Sequence, residues 1–154
     1  MKRIYAKEEY CIGCRLCEVH CLVQHSRSKK IIRVFREEMP GAMPRLLVEE
    51  RGAVSFAVQC RHCEDAPCVD ACMTGAMHVH EGDGAVLHDA DKCVGCWMCV
   101  MVCPYGAIRR DMNGRKIASK CDLCKGEETP VCVANCPNEA LVFEDRDAKN
   151  PRRP

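Results

Sequence analysis

Cys11-Ile12-Gly13-Cys14-Arg15-Leu16-Cys17-Glu18-Val19-His20-Cys21 spaces four cysteines as C-x2-C-x2-C-x3-C, and Cys93-Val94-Gly95-Cys96-Trp97-Met98-Cys99-Val100-Met101-Val102-Cys103 repeats that spacing unchanged. Cys60, Cys63, Cys68 and Cys72 follow a second plan, C-x2-C-x4-C-x3-C. Cys121, Cys124, Cys132 and Cys136 repeat it with a longer central loop, C-x2-C-x7-C-x3-C. All 16 cysteines of the 154 residues fall into these four quartets, in the order A, B, A, B.

Three sulfurs two residues apart sit on a tight loop that wraps one face of a compact metal cluster, with main-chain N–H groups turned toward sulfur. Gly13 and Gly95 suit that close approach. The fourth cysteine lies about one helical turn further on and points away from the other three, toward a second cluster. The A spacing is the run that holds a cubane iron–sulfur cluster in bacterial ferredoxins, where the fourth thiolate serves the neighbouring cluster. Sixteen thiolates at four per cluster predict four [4Fe–4S] clusters.

The composition is 47% apolar but only 5% aromatic, which leaves few large side chains for an ordinary core, so the clusters themselves are expected to fill much of it. A disulfide scaffold is the first competing reading of so much cysteine. Against it, Met1 to Tyr10 has no apolar h-region or small-residue cleavage site, which predicts a cytoplasmic protein with reduced thiols. Zinc is the second, but zinc needs neither the third cysteine of the A run nor its repetition. The longest uncharged stretch, Cys93 to Ile108, is too short to span a membrane and contains four cluster cysteines. Lys and Arg number 23 against 22 Asp and Glu. Each oxidised cluster with its thiolates adds roughly two negative charges, so the loaded protein is expected to be acidic, which argues against nucleic acid as a partner.

Between Cys72 and Cys93 a short strand, the turn Glu81-Gly82-Asp83-Gly84 and a second strand are expected. Pro104-Tyr105-Gly106-Ala107-Ile108 and Pro137-Asn138-Glu139-Ala140-Leu141 echo Thr74-Gly75-Ala76-Met77, a repeat of a cysteine helix followed by a strand. The short hairpin makes the second and third quartets one contiguous two-cluster unit, which leaves the first and fourth to pair with each other. The expected ligand sets are Cys60, Cys63, Cys68 and Cys103; Cys93, Cys96, Cys99 and Cys72; Cys11, Cys14, Cys17 and Cys136; and Cys121, Cys124, Cys132 and Cys21. The competing arrangement pairs the first quartet with the second and the third with the fourth. The fold class is α+β: two interleaved ferredoxin-like modules over residues 1–145, the inner about 54–110, the outer about 1–25 plus 111–145.

Residues 22–59 form the longest segment without cluster cysteines and are expected to be a cover and docking element. Strands are predicted at Ile31–Phe35, Leu46–Glu49 and Val54–Val58, with a broken loop at Met39–Pro44. The polar tail 146–154 is expected to be a mobile end. His62 and His20, beside cysteines, read as cover residues, and His25, His78, His80 and His88 as surface or strand positions. Trp97 and Tyr105 are expected to shield a cubane from water. Arg61, Lys92, Lys120 and Lys125 flank cysteines, where they either raise a potential, steer an acidic partner, or are simply solvated charge. No P-loop and no dinucleotide fingerprint is present and every cysteine is claimed, so no catalysis by the chain itself is expected.

On these quartets, with Met1-Lys2-Arg3-Ile4-Tyr5, Val54-Ser55-Phe56-Ala57-Val58-Gln59-Cys60 and Val102-Cys103-Pro104-Tyr105-Gly106-Ala107, the chain resembles the four-cluster ferredoxin-type subunits of anaerobic oxidoreductases. The small iron–sulfur subunit associated with carbon monoxide dehydrogenase is the nearest resemblance. Related subunits serve hydrogenases, formate dehydrogenases, tungsten aldehyde oxidoreductases and flavin-dependent NAD(P) reductases. The resemblance implies the nested pairing and an electron relay in a hetero-oligomer. Its partners would be a large catalytic oxidoreductase subunit and a flavin-dependent NAD(P) reductase or a ferredoxin. Cys21 and Cys72 depart from the pattern, being followed by Leu22 and Met73 where Cys103 and Cys136 are followed by proline.

Overall fold

A computed structural model describes residues 1–114 and 116–145; the tail expected to be mobile, 146–154, lies outside them. Strand β1 (Lys2–Ala6) is followed by the first cysteine loop and helix α1 (Leu16–Gln24). Cys17 and Cys21 do not point apart as expected: four residues apart, they share one face of α1, and both are buried together with Leu22. The second quartet leads into α3 (Pro67–Asp70), which begins at a proline, where a missing backbone N–H costs nothing. The third contains α4 (Met98–Val102) and the fourth α5 (Val131–Ala134). Each of these three short helices is followed by a strand: β4 (Met77–Val79), β6 (Arg109–Asp111) and β8 (Leu141–Asp145).

The strands form four separate two-stranded antiparallel sheets. β1 pairs with β8, Ile4 opposite Phe143, and so ties the start of the described chain to its end. β4 pairs with β5 (Val86–His88), the hairpin expected between the second and third quartets. β6 pairs with β7 (Ile117–Ser119), a strand the sequence reading did not propose. β2 (Leu47–Arg51) and β3 (Val54–Val58) are joined by a tight turn in which Gly52 takes φ +62°, a conformation that favours glycine. Helix α1 packs on α5, and α3 packs on α4. The helices of the first and fourth quartets thus meet each other, as do those of the second and third.

The core follows from this packing. One buried cluster of side chains combines Ile4, Leu46, Val48, Ala57, Leu123 and Leu141 with Cys17, Cys21, Cys60, Cys121 and Cys132. A second combines Met77, Val86, Ile108 and Ala118 with Cys68 and Cys99. Cysteine is a large share of both.

Ile31–Phe35 is not the expected strand. Residues Ile31–Arg33 form a short helix, α2, which runs into a wider helical turn over Val34–Glu38. β-branched residues favour a strand only where a neighbouring strand supplies partners, and here the backbone closes on itself instead. The Val34 N–H donates to the Lys30 carbonyl (2.9 Å) and the Met39 N–H to the Val34 carbonyl (3.0 Å). The Glu38 carboxylate accepts from the Arg27 and Ser28 N–H groups, both at 2.9 Å. Only Val34 is buried, while Ile32 is left 72% exposed. The other two strands of the segment are found, β2 reaching two residues beyond its expected end.

Ile4 is 3% exposed and holds β1 and β8 to the core. Ile4→Ala is expected to destabilise the fold by about 2–5 kcal/mol. Met73→Ala, at an 89% exposed position, should stay within about 0.5 kcal/mol of the parent. Anaerobic thermal denaturation followed by circular dichroism of both variants checks the contrast.

Candidate metal centres

The repeat in the sequence is also a repeat in backbone conformation. In the A quartets Gly13 and Gly95 take φ +66° and +69°, and two residues later Arg15 and Trp97 take φ +58° and +66° before α1 and α4 begin. A Cβ on Gly95 would clash with the Lys116 carbonyl oxygen, so no other residue is accommodated there without moving backbone. In the B quartets the residue before the second cysteine is left-handed, His62 at φ +46° and Leu123 at φ +61°. The His62 and Leu123 N–H groups thereby donate to the Sγ atoms of Cys60 and Cys121, each at 3.4 Å.

The loops bring the thiols together in four gatherings, none bridged by a disulfide. Cys17 feels Cys14 and Cys136, and a single cavity is lined by Cys11, Cys14, Cys17 and Cys136. Cys132 feels Cys121, Cys21 and Cys124. Cys63 and Cys68 both feel Cys60 and Cys103. Cys99 feels Cys93, Cys72 and Cys96. In each gathering three thiols come from one quartet and the fourth from its partner quartet.

The gatherings also have an order. Cys132 feels Cys17, which sets the second gathering beside the first. Cys121 feels Cys60, which sets the third beside the second. The third and fourth share the α3–α4 pair. At the two ends of this row Cys14 and Cys96 are exposed.

Residues 53–146 and residues 10–77 each match the family described as 4Fe-4S dicluster domain. The chain belongs to the 4Fe-4S dicluster family. It is 38% identical over 160 residues to an iron-sulfur protein of Rhodospirillum rubrum, covering 94% of this chain and 83% of that protein. It is likewise 38% identical over 159 residues to the electron transport protein HydN of Escherichia coli K12, covering 94% of this chain and 88% of HydN. Among solved structures it superposes on a chain of the active site complex BamBC of benzoyl coenzyme A reductase, with a TM-score of 0.52 at 22% identity, over 95% of this chain and 78% of that one. Two dicluster matches across a chain with 16 cysteines make four [4Fe–4S] clusters its cofactors. The fold is the short-stranded ferredoxin-like α+β fold of that family.

The thiols of this dicluster protein suit such a cofactor chemically. Burial pushes the Cys17 thiol up to about 12, Cys121 up to about 12, Cys68 and Cys124 up to about 11, and Cys132 higher still. Neighbouring thiols add to the rise at all five, because adjacent like charges in a low dielectric disfavour one another. Sulfurs crowded in this way become thiolates only when cations lie between them, which is what a metal cluster supplies. N–H donors aimed at sulfur serve the same end. The Arg45 N–H reaches Cys21 Sγ at 3.2 Å and the Met77 N–H reaches Cys72 Sγ at 3.3 Å. At Cys72 burial would raise the thiol, but the Met77, Thr74 and Ala76 N–H groups and the Thr74 hydroxyl hold it below its ordinary value.

His25 is not the surface position expected. It caps the C-terminus of α1, with its Nδ1 2.8 Å from the Cys21 carbonyl oxygen and 3.6 Å from Cys21 Sγ. Its Nε2 lies 3.0 Å from Asp122, whose other oxygen accepts from Arg45 at 2.6 Å. Burial alone would push the imidazole down, but the hydrogen bonds with Asp122 and Cys21 outweigh it and hold it up at about 9. Ligand atoms of His25, Asp122 and Cys124 lie within 4.8 Å of one another. The hydrogen bonds account for the first two, and the third belongs to a thiol gathering. Asp122 and Arg45 were not singled out from sequence. Asp122 could have been, as an acid inside the Cys121–Cys124 loop, whereas Arg45 is 24 residues from the sulfur it serves.

The four basic residues that flank cysteines separate. Lys92 pairs at 3.7 Å with Asp89, Lys125 pairs with Asp83, and the Arg61 guanidinium stands 4.2 Å from the centroid of the Tyr105 ring. Lys120 is not solvated at all, being 2% exposed. His62 is fully buried beside it, and burial followed by the charge of Lys120 pushes its imidazole down to about 3. His78 and His88 lie on β4 and β5, His80 just past β4, and His20 half-buried on α1. Trp97 is half-buried and Tyr105 exposed.

Asp122→Ala leaves the Arg45 and His25 cations without their anion and is expected to cost about 1–3 kcal/mol. Asp83→Ala breaks an exposed pair worth about 0–1 kcal/mol. The temperature at which iron is lost, read from visible absorbance under argon, should fall clearly for the first and little for the second.

Proposed function

We propose that this protein is a non-catalytic electron-relay subunit that passes single electrons along a row of four clusters between two redox partners. The observation that carries the reading is the row itself: four thiol gatherings in contact order, with an exposed cysteine at each end. The proposed ligand sets, in that order, are Cys11, Cys14, Cys17 and Cys136; Cys21, Cys121, Cys124 and Cys132; Cys60, Cys63, Cys68 and Cys103; Cys72, Cys93, Cys96 and Cys99. Bound there, [4Fe–4S] clusters supply reversible one-electron chemistry whose potential depends on hydrogen bonds to sulfur, net charge and solvent exposure. The chain's own part is to hold the sulfurs, aim N–H groups at them and exclude water.

In this reading the outer module joins residues 1–25 to 111–145, as the β1–β8 and α1–α5 pairings support, and the inner module spans about 54–110. Residues 22–59 act as the cover and docking segment. Val48 and Ala57 of the β2–β3 hairpin line the first cavity, and the Arg45 N–H reaches the second gathering.

One partner is a large catalytic oxidoreductase subunit of carbon monoxide dehydrogenase, formate dehydrogenase, hydrogenase or aldehyde oxidoreductase type. The other is a flavin-dependent NAD(P) reductase or a ferredoxin, all in the cytoplasm as one hetero-oligomer. HydN, named an electron transport protein, supports this class of role. No described helix is long and apolar enough to cross a membrane.

Anaerobic purification from the native host with iron and sulfide analysis tests the proposal. About 16 irons per chain together with a large co-purifying oxidoreductase subunit is the expected result. The same iron on a solitary chain would make it a free polyferredoxin carrier, and zinc in place of iron would overturn the reading.

Loss of one end of the row is the sharper test. Cys96→Ala should lose or convert one cubane and abolish electron transfer through the chain to an artificial acceptor. The partner's own chemistry should stay intact. Unchanged through-chain transfer would show that the row is not a linear relay.

A further inference from the structure

Lys120 and Gln59 occupy equivalent places in the two B quartets, each immediately before the first cysteine. Both are buried, and each side chain reaches across to the other half of the molecule. Gln59 Nε2 donates to the Ile4 carbonyl oxygen of β1 at 3.2 Å. Lys120 Nζ donates to the Val86 carbonyl oxygen of β5 and, at 2.7 Å, to that of Cys121. A neutral amide therefore suffices to make such a tie, and the extra feature at position 120 is a positive charge.

That charge is 2% exposed and has only carbonyl oxygens as partners. Among the described residues no carboxylate forms an ion pair with it, and the adjacent Asp122 is taken up by His25 and Arg45. A buried ammonium without an anion is costly. Two buried thiols feel its charge. It is attached to the Cys121 loop, it bonds to the strand that packs over the α3–α4 pair, and its charge favours the thiolates of both Cys121 and Cys68. Cys121 belongs to the second gathering and Cys68 to the third.

We propose that Lys120 is the built-in counter-ion of the two central clusters, one ammonium placed at the junction of the modules to stabilise the charge that reduction adds on either side of it. This rests on the four-cluster ligation proposed above. Each one-electron reduction adds one negative charge with no bond made or broken, and a fixed cation beside the site raises the affinity for that electron. Its charge is not among those that act most on Cys17 and Cys99, thiols of the outer two gatherings. Lys120 is a positioning and tuning residue, since it touches carbonyl oxygens and no reacting atom.

The test is an anaerobic redox titration of the cluster-loaded full chain with dithionite, followed by electron paramagnetic resonance, for the parent, Lys120→Gln and Lys120→Arg. Four reduction steps in the parent establish the cluster reading itself; fewer would overturn that reading and this inference with it. The expected result for Lys120→Gln is full iron content with two of the four steps moved to lower potential and two unmoved. Lys120→Arg should restore both. Four unmoved steps, or four moved equally, would reduce Lys120 to a structural tie. Should Lys120→Gln fail to hold iron, Gln59→Lys, which adds a cation at the equivalent place, decides. Central steps moved to higher potential support the proposal, and unmoved steps overturn it.

Discussion

Everything in this fold depends on gathering four sulfurs into one place when only three can come from a single loop. Left-handed turns at Gly13 and Arg15, and again at Gly95 and Trp97, bend the chain tightly enough to present three thiols. The next cysteine then stands one helical turn further on and must find its companions elsewhere in the chain. That requirement forces distant segments together: α1 against α5, α3 against α4, and the strand at the start of the described chain against the strand at its end. Sheets of two strands and helices of one or two turns would be marginal alone. They suffice because each needs only to carry a cysteine to its place, and cysteine makes up much of both buried clusters.

Gathering sulfurs in an apolar interior has an electrostatic cost, visible in thiols pushed up to about 12 at Cys17 and Cys121. The chain offsets it mostly with dipoles. N–H groups of Arg45, His62, Met77 and Leu123 point at sulfur, and a dipole adds no net charge that would itself need a partner. Where full charges are used they are partnered in groups, as in Arg45, Asp122 and His25 around the Cys21–Cys124 region. Lys120 departs from this economy, and it does so where the two halves meet, so its one charge acts on sulfur from both.

The spacing of the cysteines made the quartets, their A-B-A-B order and the hairpin at 77–88 legible, because ligand spacing and a Gly-rich turn are local properties of the chain. Val54–Val58 was legible for the same reason, its strand being joined to β2 by a turn with glycine. Ile31–Phe35 was misread because a β-branched run says nothing about whether a partner strand exists, and Glu38 instead closes the segment on itself. His25 and Arg45 were misjudged or missed on the same grounds, and the burial of Lys120, though its place beside a cysteine was noted, was not foreseen. Each acquires its role from a residue between 24 and 97 positions away or from burial in a junction, and neither is encoded in neighbouring letters.

The two B quartets show how far internal repetition constrains a side chain. At the residue before the second cysteine the backbone is kept: a left-handed residue, His62 or Leu123, sends its N–H to the first cysteine of its loop at the same 3.4 Å. The side chains at that position need only be buried, and a histidine serves in one loop where a leucine serves in the other. Burial forces the histidine into its neutral form, and the nearby Lys120 charge reinforces this, so at that place it behaves as an apolar filler. The backbone of the repeat is therefore dictated by the sulfur it must serve, while the residues before and within each loop are free to diverge. Divergence in charge, as between Gln59 and Lys120, leaves a single cation at the junction, where it acts on thiols of both loops.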